Sequence, residues 1–256
     1  MVISPWVLAT TMFFAREILQ GYNVVIASFP AGQEYGTSTA AALAGQVKTF
    51  FPNLQFGLLV GVAAGFPNFS QNPPRDIRLG DVLVALSCDD RPAVIPYGLG
   101  KETRGDDFQL LRSGHVLAQT KTLLRSAIGS LKAEEPFSGP SFREHYKRMM
   151  YRKHATAARQ MRDRYQIIGV EMEAAGIMNQ IPVAVIRGVC DYGDEYKNSE
   201  WQPYAAAMAT AYAKTILVRI PSKGKRAELV QKCIHSPHPP MATDGKIAVL
   251  AVFEVG

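Results

Sequence analysis

The chain has 256 residues, of which 47% are apolar, and a formal net charge of +6. This composition predicts a globular protein with a sizeable core and excludes a chain too polar to fold. Cys88, Cys190 and Cys233 lie far apart in the sequence, so their spacing predicts neither a zinc motif nor a disulfide framework. We therefore expect an intracellular, cytoplasmic protein.

The first fourteen residues, 1–14, are apolar enough to suggest a signal peptide. No basic residue precedes them, and no small-residue cleavage pattern leads into a polar start. No run in the chain reaches the roughly 18 apolar residues needed to span a bilayer. The sequence therefore predicts no membrane partner.

Apolar runs alternate with helical segments along most of the chain, which is typical of an α/β protein. Thr37 or Ser38 is expected to cap a first helix that stops before Pro52, and a last, alanine-rich helix begins at Pro203. Between these two helices, "EMEAAGIMNQ", 171–180, is also predicted to be helical. The predicted strands are 24–29, 56–62, 81–86, 167–170 and 183–189.

Two segments differ from this pattern. Residues 66–78 contain three prolines and are predicted to form a loop. From residue 221 the chain becomes basic and rich in proline, then ends in "KIAVLAVFEVG", which has the pattern of a terminal strand. We predict one domain over 1–220 and a tail over 221–256.

The excess of positive charge is concentrated in residues 143–164. Few aromatic side chains interrupt this stretch, whereas nucleic-acid sites commonly combine the two types. A solvated helical face is therefore favoured over a nucleic-acid surface.

Polar and glycine-rich segments follow several predicted strands. In open sheets with crossover helices, ligands bind beyond the carboxyl ends of the strands. Each segment offers a glycine, which lets the backbone approach a ligand, or a carboxylate. They are "PAGQEYG" (30–36), "GVAAG" (61–65), "EMEA" (171–174) and "CDYGD" (190–194).

Four longer motifs resemble the superfamily of nucleoside phosphorylases and nucleosidases. They are "LLVGVAAGFP", "DIRLGDVLVA", "GVEMEAAGI" and "VIRGVCDYGDEYKNSEWQPYAAAMATAYAK". The resemblance covers roughly residues 21–217 and is closest to the fungal branch, in which the domain often precedes NTPase and repeat modules. It implies a three-layer α/β/α fold with a mixed central sheet, and a homo-oligomer.

The resemblance also implies cleavage of the bond between a ribose and a purine base, through an oxocarbenium-like transition state. Glu173 matches the glutamate that binds the ribose diol, because a carboxylate accepts hydrogen bonds from two hydroxyls. Met172 would pack on the sugar. Glu171 is a further candidate for substrate binding, but its spacing predicts that it and Glu173 do not point the same way on a helical turn.

Asp191 matches the aspartate that protonates the departing base. A carboxyl at the buried end of a strand is disfavoured in its ionised form, which suits a proton donor. Asp194 is expected to orient the loop. The backbone of Gly61, Ala63, Ala64 and Gly65 would line the ribose side of the pocket.

The nucleophile distinguishes hydrolysis from phosphorolysis. Phosphorylases of this type place an arginine on the strand before the glycine motif, where it binds the phosphate dianion. Residues 57–60 contain no cation, so a water nucleophile is favoured. No metal or organic cofactor is implied.

Two departures from the family leave alternatives open. Relatives begin with a strand and helix that supply an acid to polarise the water, whereas Glu17 is the only acid near the start of this chain. A Ser-Gly strand that lines the base in relatives has no counterpart in 151–166. The alternatives are a phosphorylase and an inactive nucleoside-sensing domain. The carboxylates also have simpler interpretations, as helix N-terminal residues at 171 and 173 and as turn formers beside Gly193.

Overall fold

We describe the protein from a computed structural model. The structure describes residues 4–6, 13–19, 22–29, 36–88, 91–98, 100–103, 107–110, 117, 119–138, 162–194, 199–220 and 247–253.

Ten strands and four helices are assigned in the described part of the chain, and residues 162–165 are helical as well. The strands are β1 (Ser4–Trp6), β2 (Phe13–Leu19), β3 (Tyr22–Ser28), β4 (Gly57–Gly65), β5 (Val82–Val84), β6 (Gly100–Thr103), β7 (Asp107–Leu110), β8 (Gly169–Val170), β9 (Val183–Asp191) and β10 (Ile247–Phe253). The helices are α1 (Thr37–Phe50), α2 (Thr122–Ser138), α3 (Ala174–Ile177) and α4 (Trp201–Arg219). None of the helices within these described ranges is long and apolar enough to cross a membrane.

Eight strands form one mixed sheet in the order β1-β2-β3-β10-β4-β9-β5, and β8 pairs with the end of β4. The central strands β3, β10, β4 and β9 are mutually parallel. The outer strands β1, β2 and β5 run antiparallel to their neighbours. Strands β6 and β7 form a separate hairpin.

Helices cover both faces of this sheet. On one face, α1 and α3 pack against alternate residues such as Leu59 and Val185. On the other, α2 and α4 pack against Leu58, Val60 and Ile186. Strand residues buried alternately on two sides are expected between two helical layers. The predicted three-layer α/β/α fold with a mixed sheet is therefore confirmed.

Two glycines allow close packing of neighbouring elements. A Cβ atom on Gly176 of α3 would overlap the backbone of Thr37 in α1, and one on Gly188 of β9 would overlap the backbone of Ala205 in α4. Gly176 therefore lets α3 approach the start of α1, and Gly188 lets α4 approach the sheet.

The boundaries of several elements differ from the sequence predictions. Helix α1 stops before Pro52 as predicted, but Gly36 is its N-cap and no side chain caps it, so the predicted cap by Thr37 or Ser38 is wrong. The predicted helix over 171–180 is helical only over α3. The terminal strand of the predicted tail is present as β10 and lies between β3 and β4, inside the sheet.

Candidate functional site

The candidate site lies at the carboxyl end of β4, where three strands meet. Ala64 of β4 pairs with Val170 of β8 on one side and with Asp191 of β9 on the other. Neighbouring strands are about 4.8 Å apart, so Val170 and Asp191 are separated by about 10 Å across β4. The "EMEA" and "CDYGD" segments therefore lead away from the same edge of the sheet.

Arg75 links the segments that follow β4 and precede β8. Its guanidinium donates to the carbonyl oxygens of Phe66 and Ile167, at 3.4 and 3.0 Å. These two residues follow β4 and precede β8, and the Phe66 amide also donates to Ile168 at 2.8 Å. The chain just before the carboxylates is thus held against the end of β4.

Glu171 and Glu173 converge on one arginine. The Nη2 atom of Arg187 donates to Glu171 Oε2 at 2.6 Å and to Glu173 Oε2 at 2.8 Å. The side chains of Arg187 and Glu173 are 3% and 2% exposed, so this ion pair is shielded from water. The attraction between opposite charges is stronger in such a buried environment than in water. Gly61 pairs with Arg187 and has no side chain to compete for this space.

The expectation that Glu171 and Glu173 do not point the same way is wrong. Residues 171–173 precede α3 and are not helical, so helical spacing does not apply to them. The Glu171 carboxylate also accepts hydrogen bonds from the Glu173 and Ala174 amides, at 3.1 and 2.9 Å. Glu171 thereby satisfies backbone donors at the start of α3 while it binds Arg187.

Two apolar side chains near these carboxylates are accessible to solvent. Met172 is 51% exposed and Tyr97 is 38% exposed. The Tyr97 hydroxyl donates to the carbonyl oxygen of Glu171 at 3.3 Å. Burial, followed by the negative charges of Glu171 and Glu173, raises the pKa of Tyr97 above its ordinary value. Tyr97 therefore belongs to the same cluster.

Asp191 is the last residue of β9 and is partly buried. Its Oδ1 atom accepts a hydrogen bond from the Gly193 amide at 2.8 Å, and the Cys190 thiol lies 3.4 Å from Oδ2. Gly193 adopts φ 66°, a conformation that favours glycine. This is the geometry of a turn-forming aspartate, in which Oδ1 is bound within the turn. Asp194 follows this turn and is also partly buried.

The "GVAAG" segment forms the last five residues of β4 and is not a loop. On the side opposite β9, β10 pairs with Leu58 and Leu59, and β8 pairs with Ala64 and Gly65. Residues 60–63 pair with β9 on the other side of the strand. The backbone predicted to line the ribose is therefore part of a strand, at the edge of the sheet where the candidate site lies.

Asp81 is an additional carboxyl near this edge that the sequence did not indicate. Its carbonyl accepts from the Val189 amide at 2.8 Å, and its side chain accepts from the Arg78 amide at 2.8 Å. Burial raises the pKa of Asp81 to about 6, while the Arg78 hydrogen bond opposes the shift and the charge of Asp76 adds to it.

Glu17 is remote from these residues. It pairs with Val24 in the first half of β3, and β3 runs parallel to β4, whereas the candidate site lies beyond the end of β4. Most of the basic stretch 143–164, and most of the segment expected to lack a Ser-Gly strand, lie outside the described residues.

The sequence prediction also missed Arg187 and Tyr97. Arg187 was detectable as a single cation within an otherwise apolar strand, where a buried charge requires partners. Tyr97 gave no signal, because its loop carries no motif.

A separate small pocket lies elsewhere, beside Leu86, Pro92, Thr120 and Met178, and includes none of the predicted site residues. Within the described ranges, no group of three or more His, Cys, Asp or Glu residues is arranged to hold a metal ion.

Comparison with known proteins supports the fold. No family model matches the chain. A nucleotide-binding leucine-rich repeat (NLR)-like protein of the fungus Hyaloscypha variabilis is 33% identical over 254 residues, which cover 77% of this chain and 24% of the relative. The chain therefore spans about a quarter of the length of this relative.

Solved structures of bacterial nucleosidases have a similar fold. A futalosine hydrolase mutant of Helicobacter pylori aligns with a TM-score of 0.57, at 13% identity over 84% of this chain and 88% of its own. A methylthioadenosine nucleosidase mutant from the same species, with 5'-methylthioadenosine in its active site, aligns equally well over the same shares. The S-adenosylhomocysteine nucleosidase of Streptococcus pyogenes aligns with a TM-score of 0.54, at 13% identity over 86% of this chain and 89% of its own. The resemblance found in the sequence motifs is confirmed in the architecture: this chain has the fold of the nucleoside phosphorylase and nucleosidase superfamily.

Proposed function

We propose that this chain hydrolyses the N-glycosidic bond of purine ribonucleosides and releases the free base and ribose. The observation that carries the proposal is the pairing of Ala64 with both Val170 and Asp191. This pairing sets the carboxylate segment and the candidate acid on opposite sides of one strand end, about 10 Å apart. A nucleoside placed across β4 would meet a group for its sugar on one side and a proton donor on the other.

The predicted side chains would have separate roles in this reaction. Glu173 would accept hydrogen bonds from the ribose hydroxyls, while Arg187 and Glu171 keep its carboxylate in place. Met172, exposed beside it, would pack on the sugar. Asp191 would donate a proton through Oδ2 to the departing purine, which contributes typically 10²–10⁴-fold to such a rate.

Water is favoured as the nucleophile because of the charge at this edge. Arg187 is paired with two carboxylates, so the three side chains together carry a formal charge of −1. The buried strand β4 contributes no cation. A phosphate dianion would be repelled from this place, whereas a neutral water molecule would not.

A nucleoside-sensing domain without turnover is the second candidate. One observation favours it: the relative that this chain matches in part is named as an NLR-like protein. Such a domain would bind a nucleoside through the same residues but leave the glycosidic bond intact.

One experiment distinguishes these functions. The purified chain is incubated with adenosine, inosine, guanosine or uridine, with and without phosphate, and the free base is measured by chromatography. We expect release of purine bases without phosphate, and a loss of at least 100-fold in Asp191→Asn, with nucleoside binding retained. Release only with phosphate would indicate phosphorolysis. Binding without release, equal in Asp191→Asn, would indicate the sensor.

A further inference from the structure

The loop that carries Tyr97 takes an indirect course to the candidate site. Strand β5 runs antiparallel to β9, with Val82 opposite Gly188 and Val84 opposite Ile186. The chain therefore leaves β5 away from the carboxyl end of β9. Thirteen positions after Val84, Tyr97 is nevertheless back beside Glu171. The loop thus returns to the edge of the sheet from which β5 departed.

This return is fixed at two points. Val94 packs against the core formed with α1 and α3, and Tyr97 donates its hydrogen bond to the Glu171 carbonyl. Pro96, between them, restricts the backbone just before Tyr97. The hydroxyl of Tyr97 is therefore directed at the protein, while 38% of the residue stays exposed to solvent.

A half-exposed aromatic ring is suited to bind a ligand when it is held rigidly beside polar groups. The charges of the Glu171 and Glu173 carboxylates reach the Tyr97 hydroxyl, and Met172, the residue between these two glutamates, is also exposed. Aromatic and thioether side chains pack well on planar rings and on sugars, and stacking of a base on an aromatic side chain is worth about 1–3 kcal/mol. Together the four side chains would offer polar contacts to a diol and apolar contacts to a flat ring.

We propose that Tyr97 forms an aromatic wall of the nucleoside site, on which the purine base stacks while its hydroxyl anchors the loop to Glu171. This inference rests on the proposed function, but it concerns ligand binding and does not require turnover.

The alternative is a purely structural role, in which Tyr97 only covers the core beneath its loop. In that case its removal would lower the stability of the fold without a specific effect on ligands. Two substitutions separate the ring from the hydroxyl: Tyr97→Ala removes both, and Tyr97→Phe removes the hydroxyl alone. Phe50→Ala is a matched control, because Phe50 is 40% exposed at the far end of α1, which begins near the site edge and runs away from it.

The test uses 2-aminopurine riboside, a fluorescent purine nucleoside whose emission is quenched when it stacks on an aromatic ring. Its Kd is measured by fluorescence titration for the full chain and the three variants, the folded fraction is checked by urea unfolding, and base release from adenosine is followed in parallel. For Tyr97→Ala we expect about a tenfold or larger rise in Kd, loss of most of the quenching, and a KM that rises more than kcat falls. Tyr97→Phe is expected to keep most of the quenching, and Phe50→Ala to behave as the parent chain.

Three results would overturn the inference: a Kd for Tyr97→Ala within twofold of the parent, an equal loss of quenching in Tyr97→Phe and Tyr97→Ala, or no binding of the probe or of adenosine to the parent chain. The last result would overturn the proposed function as well. If the parent binds the probe but releases no base, only the hydrolytic activity is refuted, and the Kd values still decide the role of Tyr97.

Discussion

Replacement of Arg187 by methionine tests whether the buried carboxylates depend on this single cation. Methionine fills a similar volume with apolar atoms, so the cavity left behind is small. What is lost is the partner of Glu173, 2% exposed, and of Glu171, 16% exposed. Removing one member of a buried ion pair typically costs about 3–5 kcal/mol, because the remaining charge is left uncompensated. We expect a loss of this size in the free energy of unfolding at pH 7.

Glu173 should account for most of that loss. Glu171 keeps the amides of Glu173 and Ala174 as hydrogen-bond donors, whereas Glu173 is buried against Arg187. The double variant Arg187→Met with Glu173→Gln should therefore be more stable than Arg187→Met alone. The destabilisation should also shrink as the pH falls from 7 towards about 4, because a protonated carboxyl needs no cation.

The assay is urea unfolding at several pH values, with the slope m compared between variants. Arg78→Met is the matched control, since Arg78 forms an ion pair with Asp76 in which both side chains are exposed by 39% or more. Exposed pairs contribute about 0–1 kcal/mol, so the control should change little. The reasoning would be refuted if Arg187→Met costs less than about 1 kcal/mol. It would also be refuted if neither a lower pH nor the added substitution Glu173→Gln reduces that cost.

Two further predictions concern stability. Gly188→Ala should destabilise the fold by about 1–3 kcal/mol or more in urea unfolding, because the added methyl group meets the backbone of Ala205. Gly45→Ala in α1 is the control, because a Cβ atom there meets nothing within 4 Å. This control should be neutral or stabilising by up to about 1 kcal/mol. Because the pKa of Asp81 is raised to about 6, the folded state binds a proton more tightly than the unfolded state does. The free energy of unfolding should therefore fall as the pH rises from about 4 to 6. Asp81→Asn should flatten this dependence and, after allowance for partial exposure, add up to about 1 kcal/mol at pH 7; an unchanged slope between pH 4 and 7 would contradict it.

The central strands were predictable because their signal is local. Strands β3, β4 and β9 are nearly continuous apolar runs, as expected for parallel strands covered on both faces, and α4 is alanine-rich over most of its length. Helix α2 gave a weaker signal, since it contains Gly129 and Pro136, both unfavourable in helices. Residues 171–173 have helical propensity but are held outside α3 by the contact with Arg187. Tertiary contacts decided the conformation there.

The candidate site was predictable only in part, for a related reason. Carboxylates at strand ends can be recognised in the sequence because the rule for α/β sheets gives their place in the fold. Arg187 and Tyr97 reach the same carboxylates from the middle of β9 and from a loop beyond β5. Their positions depend on strand register and on the path of a loop, and neither is encoded in a short motif. The partners of a site residue were thus harder to predict than the residue itself.

The position of β10 links the predicted tail to the site. Among the described strands, β1, β2 and β3 form one antiparallel group, and β4, β8, β9 and β5 form a second group of mixed direction. Only β10 among these described strands pairs with both groups. It pairs with β4 at Leu58 and Leu59. A strand from the predicted tail is therefore a direct neighbour of the strand whose end carries the candidate site. Strand β10 lies outside residues 21–217, the region of family resemblance, and it satisfies backbone donors and acceptors of β4 that would otherwise be unpaired in the core.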